Sequence, residues 1–88
     1  MKLHTLLHGI ALTNLPDIEI SSVTSDSHSV SEGSLFVCIK GKNFDGHDFA
    51  RQMIENGAKV IVCEKDLGLD NQVIVPNTRI AYAYICAN

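Results

Sequence analysis

The chain is 88 residues long, enough for one domain with one modest core and too short for two. A hydrophobic fraction of 45% fits a globular chain and excludes a disordered one. Seven basic and ten acidic residues give a net charge of −3 with the lysines and arginines scattered, which excludes a phosphate-backbone footprint, so no nucleic-acid partner is expected.

The opening Met1-Lys2-Leu3-His4-Thr5-Leu6-Leu7-His8 is too short and too polar for a signal peptide or a membrane span. No membrane partner is expected, and a cytoplasmic location is. Residues 2–8 read as a short helix with Leu3, Leu6 and Leu7 on one face, stopped at Gly9. Pro16-Asp17 marks a turn. Residues 18–24 then alternate apolar and polar side chains, the pattern of a half-buried strand with Ile18, Ile20 and Val23 inward. Seven serines follow within residues 21–34, ending in a turn at Glu32-Gly33.

Residues 35–39 form a continuous apolar run of strand length, the pattern of a strand covered on both faces. A polar loop from Lys40 to Gly46 leads into a helix over 48–56, with Phe49, Ala50, Met53 and Ile54 at helical spacing. Asp45 or His47 can cap its start and Gly57 ends it. Residues 59–63 are again a buried strand, so the segment is a βαβ unit with parallel strands. A polar connection over 64–71 precedes a third apolar strand at 72–75, stopped by Pro76, and Asn77 or Thr78 can cap a last helix over 79–87. The fold class is α/β: a small mixed, mostly parallel sheet with one βαβ unit and flanking helices. That last helix carries no C-cap signal, so the 88 residues are expected to be one domain of a longer chain.

Three cysteines, Cys38, Cys63 and Cys86, lie far apart without a CxxC pair. Cys38 and Cys63 sit in apolar runs and read as buried free thiols of a reducing compartment, and no structural zinc site is expected. No spacing of His28, His47, Asp26 and Asp48 calls for any other metal.

Two polar loops are candidates for chemistry. The first, Gly41-Lys42-Asn43-Phe44-Asp45-Gly46-His47-Asp48, falls at the carboxyl end of a buried strand and precedes a helix, where parallel α/β sheets bind ligands and where free N–H groups hold anions. Its Gly41-x4-Gly46 spacing mimics a P-loop, yet His47 and Asp48 stand where the lysine and the hydroxyl would be, and Asp48 would repel phosphate. The same residues read equally as a two-glycine turn with a helix cap. The second loop, Thr24-Ser25-Asp26-Ser27-His28-Ser29, sets a serine, a histidine and an aspartate side by side. Triad members normally meet from distant positions and no GxSxG elbow is present, so no catalytic residue is expected. An Asx or Ser/Thr turn made by Asp26 and Ser27 is the alternative, and serine hydroxyls on such a turn can serve a polar ligand.

At these loops the chain resembles a family. Val23-Thr24-Ser25-Asp26-Ser27-His28-Ser29-Val30-Ser31-Glu32-Gly33-Ser34-Leu35-Phe36-Val37, followed by Gly41, by Phe44-Asp45-Gly46-His47-Asp48-Phe49 and by residues 50–58, resembles the N-terminal domain of the Mur ligases, which build the peptide stem of peptidoglycan. Val73-Ile74-Val75-Pro76-Asn77-Thr78-Arg79 resembles most the ligase type that adds the third amino acid; the type that adds the terminal dipeptide shares the central motif. The resemblance implies a domain that holds the UDP portion of UDP-N-acetylmuramoyl-L-alanyl-D-glutamate. It also implies two further domains for the ATP, the magnesium and the incoming amino acid, none of which this segment would hold. By position, Ser25 and Ser27 match the turn contacts, and Lys42, Asn43 and Phe44 the second-loop contacts. Asp45, Gly46 and His47 match the motif that shapes that loop and, with His28, are also expected among the UDP-binding residues. His28 stands where the family has an arginine, which exchanges a permanent forked cation for a side chain mostly uncharged near neutral pH. Glu32 stands where the family has a proline. A stand-alone nucleotide-binding or interaction module on the same fold is the reading from another class.

Overall fold

A computed structural model describes residues 1–87. In chain order the elements are α1 (Leu3–Leu6), β1 (Ser22–Thr24), β2 (Ser34–Val37), a 3₁₀ turn (Gly46–Phe49), α2 (Ala50–Glu55), β3 (Val60–Cys63), β4 (Gln72–Ile74) and α3 (Thr78–Ala87). The four strands form one sheet in the order β1-β2-β3-β4, and every neighbouring pair is parallel. All four carboxyl ends therefore lie along one edge of the sheet.

Alternation along β2 and β3 splits the core into two layers. Leu35, Val37, Val60, Val62, Val73 and Val75 point to the face covered by α1 and α3, where Leu3, Leu6, Leu7, Ala81 and Ile85 meet them. Phe36, Cys38, Ile61 and Cys63 point to the opposite face, under Ala50 and Met53 of α2. Every residue of β2 and of β3 is buried, the burial expected of strands with continuous apolar sequence. Burial also pushes the Cys38 thiol up to about 12 and raises that of Cys63, so both are unreactive core side chains.

The first strand is shorter than the alternation predicts. Only Ser22–Thr24 joins the sheet, because residues 18–20 pair with the amino terminus instead. The Leu3 amide donates to the Ile18 carbonyl at 3.0 Å, Lys2 and Glu19 form an isolated antiparallel bridge, and the terminal ammonium pairs with the Glu19 carboxylate. The inward pattern is kept: Ile20 is buried and Ile18 and Val23 pack on the same core. The antiparallel share of the structure is confined to such single bridges, here and between Lys40 and Asp45.

The helix expected over 48–56 starts as a 3₁₀ turn and becomes α-helical at Ala50. Phe49, at helical spacing with Ala50 and Met53, is exposed and stacks on Phe44, ring centroids 5.0 Å apart. The turn after α2 needs a glycine. Gly57 has φ +116°, and a Cβ there would stand 2.8 Å from the Glu32 Cα across the turn before β2.

Two substitutions test this packing. Phe36→Ala empties the centre of one layer and is expected to cost about 3–5 kcal/mol. Gly57→Ala combines a left-handed backbone with a backbone clash and is expected to cost at least ~1–2 kcal/mol. Urea denaturation followed by circular dichroism reads both.

Candidate functional site

The two loops singled out by sequence follow β1 and β2, so they leave the sheet side by side at its carboxyl edge. The first is built on Asp26. Its carboxylate accepts the His28 amide at 2.9 Å and the Ser29 hydroxyl at 3.1 Å, and its own amide donates to the Thr24 hydroxyl at 3.0 Å. The His28 amide and the Ser29 hydroxyl hold this carboxyl below its ordinary range. Asp26 thus closes the Asx turn that its residue type favours. Ser27 does not take part: the Ser25 and Ser27 hydroxyls, both half-buried, find no protein partner among the described residues. The His28 ring is exposed and likewise uses no protein partner.

The second loop is a tight return. The Gly41 amide donates to the Phe44 carbonyl, and the Gly46 amide to the Ile39 carbonyl at 2.9 Å, folding Asp45-Gly46 back onto the end of β2. A Cβ on Gly46 would lie 2.9 Å from the Ile39 nitrogen and 3.1 Å from the Cys38 Cα, so only glycine permits this approach. Lys42, Asn43 and Phe44 project from the tip and are exposed. Phe44 is fixed by its stack on Phe49, while the Lys42 ammonium and the Asn43 amide have no protein partner among the described residues.

His47 explains why the loop holds this shape. Its ring is buried, and both nitrogens are used within the protein. The Glu64 backbone N–H donates to Nε2 at 2.9 Å; a backbone amide can only donate, so Nε2 carries no proton and Nδ1 must. Nδ1–H then donates to the Asp45 carboxylate at 2.6 Å, and the His47 amide donates to the same oxygen at 3.0 Å. These two donors, the ring first, hold the Asp45 carboxyl below the usual carboxylate range. His47 therefore shapes the loop with both nitrogens, while the side chains of Ser25, Ser27, His28, Lys42 and Asn43 make no hydrogen bond within the described residues.

Glu64 and Arg79, to which sequence reasoning gave no role, complete the edge together with the cap candidates Asn77 and Thr78. The Glu64 carboxylate accepts the Thr78 amide at 2.9 Å and the Thr78 hydroxyl at 3.1 Å, which caps the start of α3 from the end of β3 and keeps that carboxyl low. Asn77, expected from sequence as a cap, accepts the Ile80 amide at 3.0 Å in the same turn. The Arg79 guanidinium donates to the Lys40 carbonyl at 2.9 Å. An acid directly after a strand and a threonine opening a helix were visible in the sequence; their pairing, and that of Arg79 with a carbonyl 39 positions away, was not.

A separate groove of about 280 Å³ lies between Gly9-Ile10 and the Ile80–Tyr84 face of α3. Its lining is mainly apolar, and the Asn77 side-chain oxygen Oδ1 already accepts the Ile80 amide. It lacks the convergent polar groups that mark a specific site. Among the described residues no three His, Cys, Asp or Glu side chains converge to hold a metal ion, and no helix is long and apolar enough to cross a membrane. At the two positions after Gly46, where a P-loop carries the lysine and hydroxyl for ATP phosphates and their magnesium, the 41–48 loop has His47 and Asp48, so it does not fit that cofactor.

The depressed Asp45 carboxyl makes a pH prediction. A carboxylate whose folded value lies below its unfolded one stabilises the fold above about pH 4 and loses that contribution as pH falls through the folded value. Asp45→Asn is expected to lower stability at pH 6 and to flatten its decline between pH 4 and pH 2. Urea midpoints across that range check it, and an unchanged slope would show that Asp45 does not couple to folding.

Comparison with known proteins bears on the family and the fold. The family model described as "Mur ligase family, catalytic domain" matches residues 19–85. The UDP-N-acetylmuramoyl-L-alanyl-D-glutamate–2,6-diaminopimelate ligase of Bacillus velezensis is 56% identical over 75 residues, 84% of this chain and 15% of that protein. The ligase of the same name from Bacillus cereus is 48% identical over 82 residues, 89% of this chain and 17% of that protein. A crystal structure of MurF from Acinetobacter baumannii superposes with a TM-score of 0.77 at 30% identity, covering 97% of this chain and 19% of that one. The chain thus spans less than a fifth of the length of these relatives. With two layers packed on a parallel sheet, a glycine-dependent loop at its carboxyl edge and a family match over most of its length, the chain belongs to the Mur ligase family.

Proposed function

We propose that this chain is the N-terminal, substrate-holding domain of a Mur ligase. In this reading it grips the UDP end of UDP-N-acetylmuramoyl-L-alanyl-D-glutamate while the third stem amino acid is added in an ATP-dependent step in the cytoplasm. The observation that carries the reading is the set of unpartnered polar groups at the carboxyl edge: the Ser25 and Ser27 hydroxyls on one loop, Lys42 and Asn43 on the next. Hydroxyls, an ammonium and an amide suit the acceptor-rich face of a nucleoside diphosphate. Asp45, Gly46 and His47 fix the second loop from behind.

The matching family model is described as catalytic, yet the P-loop mimic here lacks the residues ATP needs. That favours a binding role for this segment, with ATP, magnesium and the incoming amino acid held by further domains. Holding the substrate by its distant UDP end contributes to catalysis through orientation of the reacting carboxyl. Identities of 48–56% to ligases named for the diaminopimelate step favour the third-residue ligase over the dipeptide ligase.

Isothermal titration of the chain with UDP-N-acetylmuramoyl-L-alanyl-D-glutamate tests the reading. Ser27→Ala is expected to weaken binding about fivefold, the loss of one hydrogen bond worth about 1 kcal/mol. His28→Arg restores a forked, permanent cation and is expected to tighten it. Equal affinity in both variants and the parent would remove the 24–29 loop from the site.

A further inference from the structure

We propose that His47 is a positioning residue that couples the 41–46 loop to the first turn of α3. The observation is a closed ring of contacts along the carboxyl edge. Asp45 is bonded to the His47 ring, whose other nitrogen takes the Glu64 amide. The Glu64 side chain holds Thr78, the next residue Arg79 reaches the Lys40 carbonyl, and Lys40 bridges back to Asp45. The ring spans the ends of β2, β3 and β4 and touches Lys42–Phe44 only through their backbone neighbours.

The coupling has a physical basis in Glu64. Its backbone is held by His47 and its carboxylate holds Thr78, so a shift of one is transmitted to the other within a single residue. The tautomer matters equally. Only a ring with Nδ1 protonated and Nε2 bare can face a carboxylate on one side and a backbone donor on the other. A loop held this way cannot move its tip without disturbing the start of α3. Movement of α3 would in turn reposition the tip. The ligand side of this inference rests on the proposed UDP role of the loop; the ring itself does not.

Nuclear magnetic resonance of the 88-residue chain tests it in three ways. Long-range nitrogen correlations of the His47 ring should show Nδ1 protonated and Nε2 bare; the opposite tautomer would overturn the proposal. In His47→Phe, the Thr78 and Gly41 amides, neither of which touches His47, should exchange with solvent at least tenfold faster relative to the core Ile61 amide. Unchanged relative exchange at both would overturn it. His47→Gln places an acceptor near the Nε2 position and should restore Thr78 but not Gly41, whereas His47→Asn places a donor near Nδ1 and should do the reverse. A merely space-filling histidine would not give that crossed pattern. Finally, saturating UDP-N-acetylmuramoyl-L-alanyl-D-glutamate should shift the Thr78 amide in the parent and not in His47→Phe, with Lys42–Phe44 shifting in both. Loop shifts without a Thr78 shift in the parent would refute the coupling and leave the UDP reading intact. Absence of any loop shift would refute the UDP reading, and the exchange and tautomer results would still decide the ring.

Discussion

The two hydrogen bonds of the His47 ring are the constraint on which the carboxyl edge depends. A parallel sheet brings four strand ends to one edge, yet it leaves the loops there free to splay. The buried imidazole removes that freedom by joining the Asp45 turn after β2 to the Glu64 amide after β3. Losing the ring would leave the Glu64 N–H without this acceptor and the Asp45 carboxylate without this donor. Gly46 makes the arrangement possible by letting the turn lie against the strand end, and the Glu64 carboxylate extends it to α3.

This arrangement suits the substrate-holding role proposed for the chain. The Ser25 and Ser27 hydroxyls and the Lys42 and Asn43 side chains have no protein partner among the described residues, whereas Asp26 and Asp45 hold the His28 and His47 amides. Side chains that shape a loop and side chains offered to a ligand are thereby different residues. Phe44 stands between the roles, stacked on Phe49 yet still exposed at the loop tip.

Much of this was legible in the sequence because it depends on local pattern. The continuous apolar runs around Phe36 and Ile61 can only be strands covered on both faces, and the helical spacing of Ala50 and Met53 between them forces a parallel pair. Asp26 followed two residues later by an amide donor reads as an Asx turn. What escaped depends on contacts between distant residues. Alternation over 18–24 could not reveal that Ile18 and Ile20 would pair with the amino terminus. Helical spacing did not reveal that the helix opens as a 3₁₀ turn or that Phe49 stands exposed against Phe44. The family pattern marked Asp45-Gly46-His47 as shaping the loop. That both nitrogens of the histidine are used, and that Glu64, Thr78 and Arg79 continue the contact, required three dimensions.

The central claim is that the loops after β1 and β2 hold the UDP end of a muramoyl-peptide substrate. A crystal structure of the chain soaked with UDP-N-acetylmuramoyl-L-alanyl-D-glutamate tests it most directly. The account predicts the UDP moiety at the carboxyl edge of β1 and β2, within hydrogen-bonding distance of Ser25 or Ser27 and of the Lys42–Phe44 segment, with the His47 ring still bonded to Asp45 and Glu64. A ligand seated elsewhere, for example in the apolar groove beside Ile80 and Tyr84, with both loops bare, would contradict it.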